Sequence, residues 1–148
     1  MEGSKKQDIL TMYRRIDELD LQLAKFFAAL NPFALSQQQE QLLLLFKRKD
    51  SWTSTEIART MGISKSAVSQ VLKILEERTF IKRRKNPANL RESFIQLDTN
   101  GVAYLRKMDE IEEQLAEEMT TILDEMELDI INRSLVRMID RFQELHRS

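Results

Sequence analysis

A chain of 148 residues, 32% charged and 42% hydrophobic, has the length of one domain and carries no long apolar run. It has no cysteine, which excludes disulfides, thiolate metal sites and thiol-based redox sensing. No segment approaches the ~18 apolar residues that cross a bilayer, and the polar start Met1-Glu2-Gly3-Ser4-Lys5-Lys6 lacks the stretch of a secretory signal, so a cytoplasmic protein with no membrane partner is expected. The formal charge of −1 conceals a segregation. Met1 to Phe46 carries five Lys/Arg against six Asp/Glu, Lys47 to Leu97 twelve against five, and Asp98 to Ser148 six against thirteen. A basic middle between neutral and acidic flanks suits a polyanion-binding module on a scaffold that faces away from the polyanion.

From Ile9 to Leu30, apolar residues recur every three or four positions and predict an amphipathic helix that Asn31-Pro32 ends. Ser36 and Gln39 fit a capping box before Leu42-Leu43-Leu44-Leu45-Phe46, a run so apolar that its helix is expected in the core. Thr53 and Glu56 repeat that signature for a short third helix carrying Ile57, Ala58 and Met61 and stopping at Gly62. Ser64 then caps a fourth, with Ala67, Val68, Val71, Leu72 and Leu75 on its inner stripe. Beyond Arg78 the period changes: Phe80 to Arg84 and Ser93 to Leu97 read as strands around the turn-rich Lys85-Asn86-Pro87-Ala88-Asn89. Asp98 is expected to cap a long helix bearing Val102, Leu105, Met108, Ile111, Leu115, Met119, Ile122 and Met126, and a last helix carries Leu128, Ile131, Leu135, Met138, Ile139 and Phe142.

The span Ser54 to Lys73 has the spacing of a helix-turn-helix. Ala58 allows close crossing, Gly62 can adopt the left-handed turn conformation, and Ile63, Val68 and Val71 pack the second helix on the first. Ser64 starts the recognition helix, whose Lys65, Ser66, Ser69 and Gln70 are placed to reach base edges in a major groove, with Lys73 nearer the backbone. Helix N-termini with Thr53 or Ser54 suit phosphates. In the hairpin, Lys82, Arg83, Arg84, Lys85 and Arg91 are expected to reach the adjacent minor groove.

With these elements in this order the sequence resembles the MarR family of bacterial transcription regulators, from the first helix to the last. The most specific stretch is the wing, where Asn89-Leu90-Arg91 and Leu97-Asp98-Thr99-Asn100-Gly101 are similar to that family's Asp-x-Arg and Leu-Thr-x-x-Gly patterns. Two positions depart: Asn89 stands for the wing aspartate that orients the arginine, and Thr79 for the glycine before the first strand. An amide still accepts the orienting bond but without charge assistance. The resemblance implies a mainly α protein, a winged helix-turn-helix with a two-stranded β-wing flanked by dimerisation helices. Residues 1–148 then form one domain, with 36–97 on DNA and 8–31 and 98–147 in the dimer. It also makes Arg91 the minor-groove arginine and implies a homodimer, most simply a repressor, on a pseudo-palindromic duplex operator. The three amphipathic segments point the same way, because their apolar residues outnumber what a ~50-residue winged unit can cover. An intramolecular bundle is the other way to bury them.

Other chemistry finds little support. His146 is the only histidine, and the Glu110, Glu112, Glu113, Glu117, Glu118 run lacks the Glu-x-x-His of a di-iron bundle, so no metal or cofactor is expected. With three glycines, no phosphate loop and no activated nucleophile, an enzyme is not expected either. The methionines Met108, Met119 and Met126 suit core packing or an adaptable pocket. The resemblance adds a small aromatic or lipophilic effector, expected near Tyr13, Phe26, Phe27, Phe46 and Trp52. A winged helix that binds a protein partner is the alternative function, against which the basic middle argues.

Overall fold

The computed structural model describes residues 2–147. In chain order the elements are α1 (Glu2–Leu30), α2 (Gln37–Leu44), a 3-10 turn (Leu45–Lys47), β1 (Trp52–Thr53), α3 (Ser54–Met61), α4 (Lys65–Glu77), β2 (Ile81–Asn86), β3 (Asn89–Leu97), α5 (Thr99–Thr120) and α6 (Glu125–Arg147). Two compact units divide between Ile111 and Glu112. The first contains the winged helix-turn-helix, mainly helical with one small antiparallel sheet in the order β1-β3-β2.

Local chemistry sets the helix ends. At α2 the Gln39 amide donates to Ser36 Oγ (3.2 Å) and the Ser36 amide to Gln39 Oε1 (2.9 Å). Thr53 and Glu56 make the same reciprocal pair at α3, each bond 3.2 Å. Such a cap satisfies amides the helix itself leaves open and is worth ~1 kcal/mol. Helix α3 stops at Gly62, whose φ of 66° is left-handed, and Ser64 Oγ accepts the Ala67 amide at 3.1 Å to start α4. Helix α1 begins at Glu2, ahead of the expected Ile9, because no breaker separates its polar first turns from the apolar period.

Three expectations are corrected in the strands and late helices. The turn contracts to Pro87-Ala88, because Asn86 and Asn89 pair across it and belong to strands. Strand β1 joins the sheet through Trp52 opposite Ile95 and Thr53 opposite Phe94, so the sheet has three strands. The long helix ends at Thr120, and Met126 lies in α6 and is 74% exposed. Asp124 and Glu127 form a capping box there, with bonds of 2.8 and 2.9 Å. In α5 the expected Met108 and Ile111 are buried and Leu105, Leu115 and Met119 half-buried, and only at the start of the helix do Gly101 and Tyr104 hold the buried places while Val102 is 46% exposed.

The core gathers Leu42, Leu43, Ile57, Val68, Leu72, Leu75, Ile81, Ile95, Tyr104 and Ile111, all essentially without solvent contact. Phe33 meets the rings of Phe80 and Tyr104 edge to face, each at 5.8 Å. Glu40 Oε1 accepts from Asn31 Nδ2 (2.8 Å) and from the Tyr104 hydroxyl (3.2 Å), tying the end of α1, α2 and α5 through one carboxylate. Burial, reinforced by the facing Glu40 carboxylate, pushes the Tyr104 phenol above its ordinary range, so it remains a neutral donor.

Two backbone positions fix where the wing begins. Helix α4 ends with the Phe80 amide on the Leu75 carbonyl (2.8 Å) and the Thr79 amide on that of Glu76 (3.1 Å), a closure that needs a left-handed residue between. Thr79 fills that place at φ 62°, the one non-glycine residue with positive φ among those described. Asn100 holds it there, donating its amide to the Thr79 carbonyl (3.0 Å) and its side chain to the Arg78 carbonyl (2.7 Å). Gly101 packs so closely on the Phe80 carbonyl and Leu97 that a Cβ would collide with both.

Candidate nucleic-acid interface

Helix α4 buries Val68, Val71, Leu72 and Leu75, which turns Lys65, Ser66, Ser69, Gln70 and Lys73 to solvent. Its first turn carries no acidic residue, so the positive end of the helix and the amides beyond Ser64 are not neutralised. Ser64 itself is exposed, though its hydroxyl is engaged as the cap.

The wing rises beside this helix. Strands β2 and β3 pair in register from Ile81 opposite Leu97 to Lys85 opposite Ser93, and then Asn86 pairs with Asn89. Leu90, Arg91 and Glu92 therefore bulge from β3 with no ladder partner. Asn86 shapes the turn by accepting the Ala88 amide (3.0 Å) and reaches Glu92 with its side-chain nitrogen (3.4 Å). Asn89 accepts the Arg91 backbone amide at 3.2 Å. The orienting bond thus goes to backbone, where a neutral amide oxygen serves as an acceptor without needing the aspartate's charge.

A groove of about 350 Å³ joins these elements, lined by Ser54 and Thr55 from α3, Lys65 from α4, and Arg83, Asn89, Arg91, Glu92 and Ser93 from the wing. It brings together four of the residues expected from sequence: Ser54, Lys65, Arg83 and Arg91. Arg84 and Lys85 are exposed on the wing. Among the described residues, Lys65, Lys73, Arg84, Lys85 and Arg91 form no ion pair.

Two expected residues sit differently from the rest. Arg83 donates its Nε to Glu76 Oε2 at 2.9 Å, so its charge is already met by the end of α4. Thr53 is 6% exposed with its hydroxyl committed to the α3 cap, which takes it off the surface the others share. Thr55 and Glu76 were missed. A second hydroxyl at the start of α3 is the signal for Thr55. For Glu76 no sequence pattern joins it to Arg83, seven residues on and past a turn. On the other side of the wing, Lys82 and Arg106 line a separate groove of about 460 Å³ with Asp98 and Val102.

The five aromatics expected around a pocket, Tyr13, Phe26, Phe27, Phe46 and Trp52, take different places. Phe46 and Trp52 are buried core residues, and Trp52 Nε1 is satisfied by the Lys49 carbonyl at 3.2 Å. Phe27 lines a cavity of about 240 Å³ with Ala24, Ala28, Asn31, Phe33, Leu35 and Glu40. Met108 is likewise core. Among the described residues no cluster of metal-ligating side chains occurs and no helix is long and apolar enough to cross a membrane.

The MarR family profile matches residues 35–93, from just before α2 through the wing bulge. The HTH-type transcriptional regulator TcaR of Staphylococcus aureus (strain Newman) is 29% identical over 107 residues, which cover 71% of this chain and 70% of that protein. Among solved structures, Streptococcus pneumoniae FabT in complex with DNA superposes with a TM-score of 0.75 at 16% identity, covering 90% of this chain and 99% of that one. A mutant MarR from E. coli complexed with operator DNA gives 0.67 at 20% identity, covering 88% and 95%. The fold is thus shared widely, while the sequence match centres on the helix-turn-helix and its wing. Element order and wing pattern agree with these matches: residues 35–93 are similar to the MarR family, and the chain shares the fold of the solved winged helix-turn-helix proteins.

Proposed function

We propose that the chain is a sequence-specific, double-stranded DNA-binding transcriptional regulator that works in the cytoplasm as a homodimeric repressor. The observation that carries the reading is the groove that joins the N-terminal ends of α3 and α4 to the wing, lined by Lys65, Arg83 and Arg91. Ser66, Ser69 and Gln70 read base edges in the major groove, Lys65 and Lys73 anchor on the backbone, and Ser54 and the α4 N-terminus hold phosphates. Arg91, with Arg84 and Lys85 behind it, enters the adjacent minor groove. FabT and a mutant MarR, which share this fold, are solved in complex with DNA, which supports a DNA-binding reading.

Residues 36–97 form the DNA-binding part, and the helices over 8–31 and 98–147 pair two chains. In α1 the residues Ile9, Met12, Tyr13, Ile16 and Leu19 are exposed, and α6 buries nothing although Leu128, Ile131, Leu135, Ile139 and Phe142 share its stripe. A second copy covers both stripes. Such a dimer blocks a promoter by occupancy. The effector of this reading is small and aromatic or lipophilic and enters beside Phe27 and Glu40, where the carboxylate disfavours an acid.

The test is to incubate the purified protein with sheared DNA of its source genome at about 0.15 M salt and sequence what it retains. Enrichment of a few pseudo-palindromic promoter sites is expected. Uniform or absent retention overturns the reading in favour of non-specific or protein binding.

A further inference from the structure

The wing ends in apolar rather than charged chemistry. Leu90 is 81% exposed, more than any other large apolar side chain of the described residues. Most of the others lie on the helical stripes of α1 and α6, whereas Leu90 belongs to no stripe. A single exposed leucine by itself means little, but three features of the bulge set this one apart.

First, the bulge is built. Asn86 bonds Ala88 and Glu92, and Asn89 bonds the Arg91 amide, so the segment carrying Leu90 is held from both sides. Second, the tip beside it, Pro87-Ala88, is also exposed and apolar. Third, the apolar tip is backed by the unpaired cations Lys85 and Arg91, and the one nearby acid, Glu92, is engaged by Asn86. An apolar point with cations behind it fits a groove whose walls are phosphate and whose floor is base edge.

We infer that Leu90 is a specificity-determining residue that lies against the minor-groove floor next to Arg91 and selects A·T pairs there. The inference rests on the DNA-binding reading above. In the minor groove a G·C pair differs from A·T by the guanine amino group. Leucine methyls pressed onto that amino group strip it of water and offer no acceptor, whereas adenine presents no such donor. Arg91 favours the same sequences for a separate reason, since narrow A·T-rich grooves concentrate negative potential. Charge would then draw the wing in, and Leu90 would reject guanine.

The experiment replaces adenines of the captured operator, one position at a time, with 2,6-diaminopurine, which adds the minor-groove amino group and leaves the major-groove edge unchanged. Full-length protein is expected to lose about tenfold in affinity at the positions the wing covers. Leu90→Ala binds unmodified operator a few-fold more weakly, with the same salt slope, and shows a clearly smaller diaminopurine penalty, the remainder being what Arg91 senses through groove width. Leu90→Met restores the penalty and separates an apolar contact from damage to the bulge. A penalty equal in wild type and Leu90→Ala, or absent from both while operator binding persists, overturns the role of Leu90 and leaves the regulator reading intact. Loss of binding to vesicles of anionic lipid on Leu90→Ala, with DNA affinity unchanged, overturns it in favour of a membrane surface. If wild type prefers no duplex over competitor DNA, the regulator reading itself fails and the inference falls with it.

Discussion

At Thr79 a β-branched residue holds a left-handed backbone that glycine adopts without steric cost. Strain of this kind is worth ~1–3 kcal/mol, and it persists because Asn100 and the α4 closure determine the position from both sides. Thr79→Gly is expected to raise stability by ~1 kcal/mol, after the entropy that glycine adds to the unfolded chain. The check is a higher urea midpoint at unchanged slope. Glu56 supplies a pH dependence. Its hydrogen bond from Lys49 (2.7 Å), with the Thr53 amide and the Lys49 and Arg59 charges adding, outweighs desolvation and lowers its pKa below the ordinary 4.5. A lowered carboxylate pKa stabilises the fold above the unfolded value and loses that contribution as pH falls through the folded one. Glu56→Gln keeps an acceptor for the cap, so the variant is expected to lose less stability than wild type between pH 6 and about pH 3, measured by urea unfolding at each pH. Both capping boxes and Gly62 were legible because each depends on side chains within three residues. Tyr104 was not, since its hydroxyl is satisfied by Glu40, 64 positions away.

Among elements, the wing divides its cations by partner. Arg83 is bound to Glu76, while Arg91 forms no ion pair among the described residues. Arg91→Ala is therefore expected to weaken binding across sequences and to reduce the salt slope by ~0.9 for each phosphate that the arginine no longer neutralises. Arg83→Ala should change it less, because that charge is already neutralised. Titrating each variant with operator at several salt concentrations distinguishes them, and equal slopes would show that the Glu76 pair does not survive on DNA. The hairpin was legible from its change of period and its turn residues. Its length was not, because Asn86 and Asn89 are turn formers by composition yet pair as the last rung of the ladder. Strand β1, at two residues, is too short to show a period. The break before α6 had a signal in Asp124 and Glu127, overridden by the apolar spacing that runs through Met126.

For the molecule as a whole, charge and apolar stripe give separate messages. The basic middle of the sequence coincides with the helix-turn-helix and wing, and α6 carries an apolar stripe with no buried residue among those described. Leu135→Glu, on the middle of that stripe, is expected to convert the proposed dimer into monomers by sedimentation and to abolish cooperative occupation of paired half-sites. A dimer unchanged by this charge would move the interface away from α6. In the proposed dimer, two-fold pairing would set half-sites about one helical turn apart, ~10–10.5 bp. The stripe was legible from its spacing, whereas the second copy proposed to cover it rests on the family resemblance.

The uncovered stripe of α6 lies far along the chain from Leu90 and Arg91, and this separation has a genetic consequence. An allele altered only in the wing still encodes a chain able to pair. Expressed beside the normal copy, it is expected, if the chain pairs as proposed, to draw normal chains into mixed pairs that hold one sound half-site, so that the defect is dominant. An allele altered in both wing and α6 pairs with nothing and is recessive. Derepression in merodiploid cells by the first allele, relieved when the α6 change is added to it, is the expected pattern.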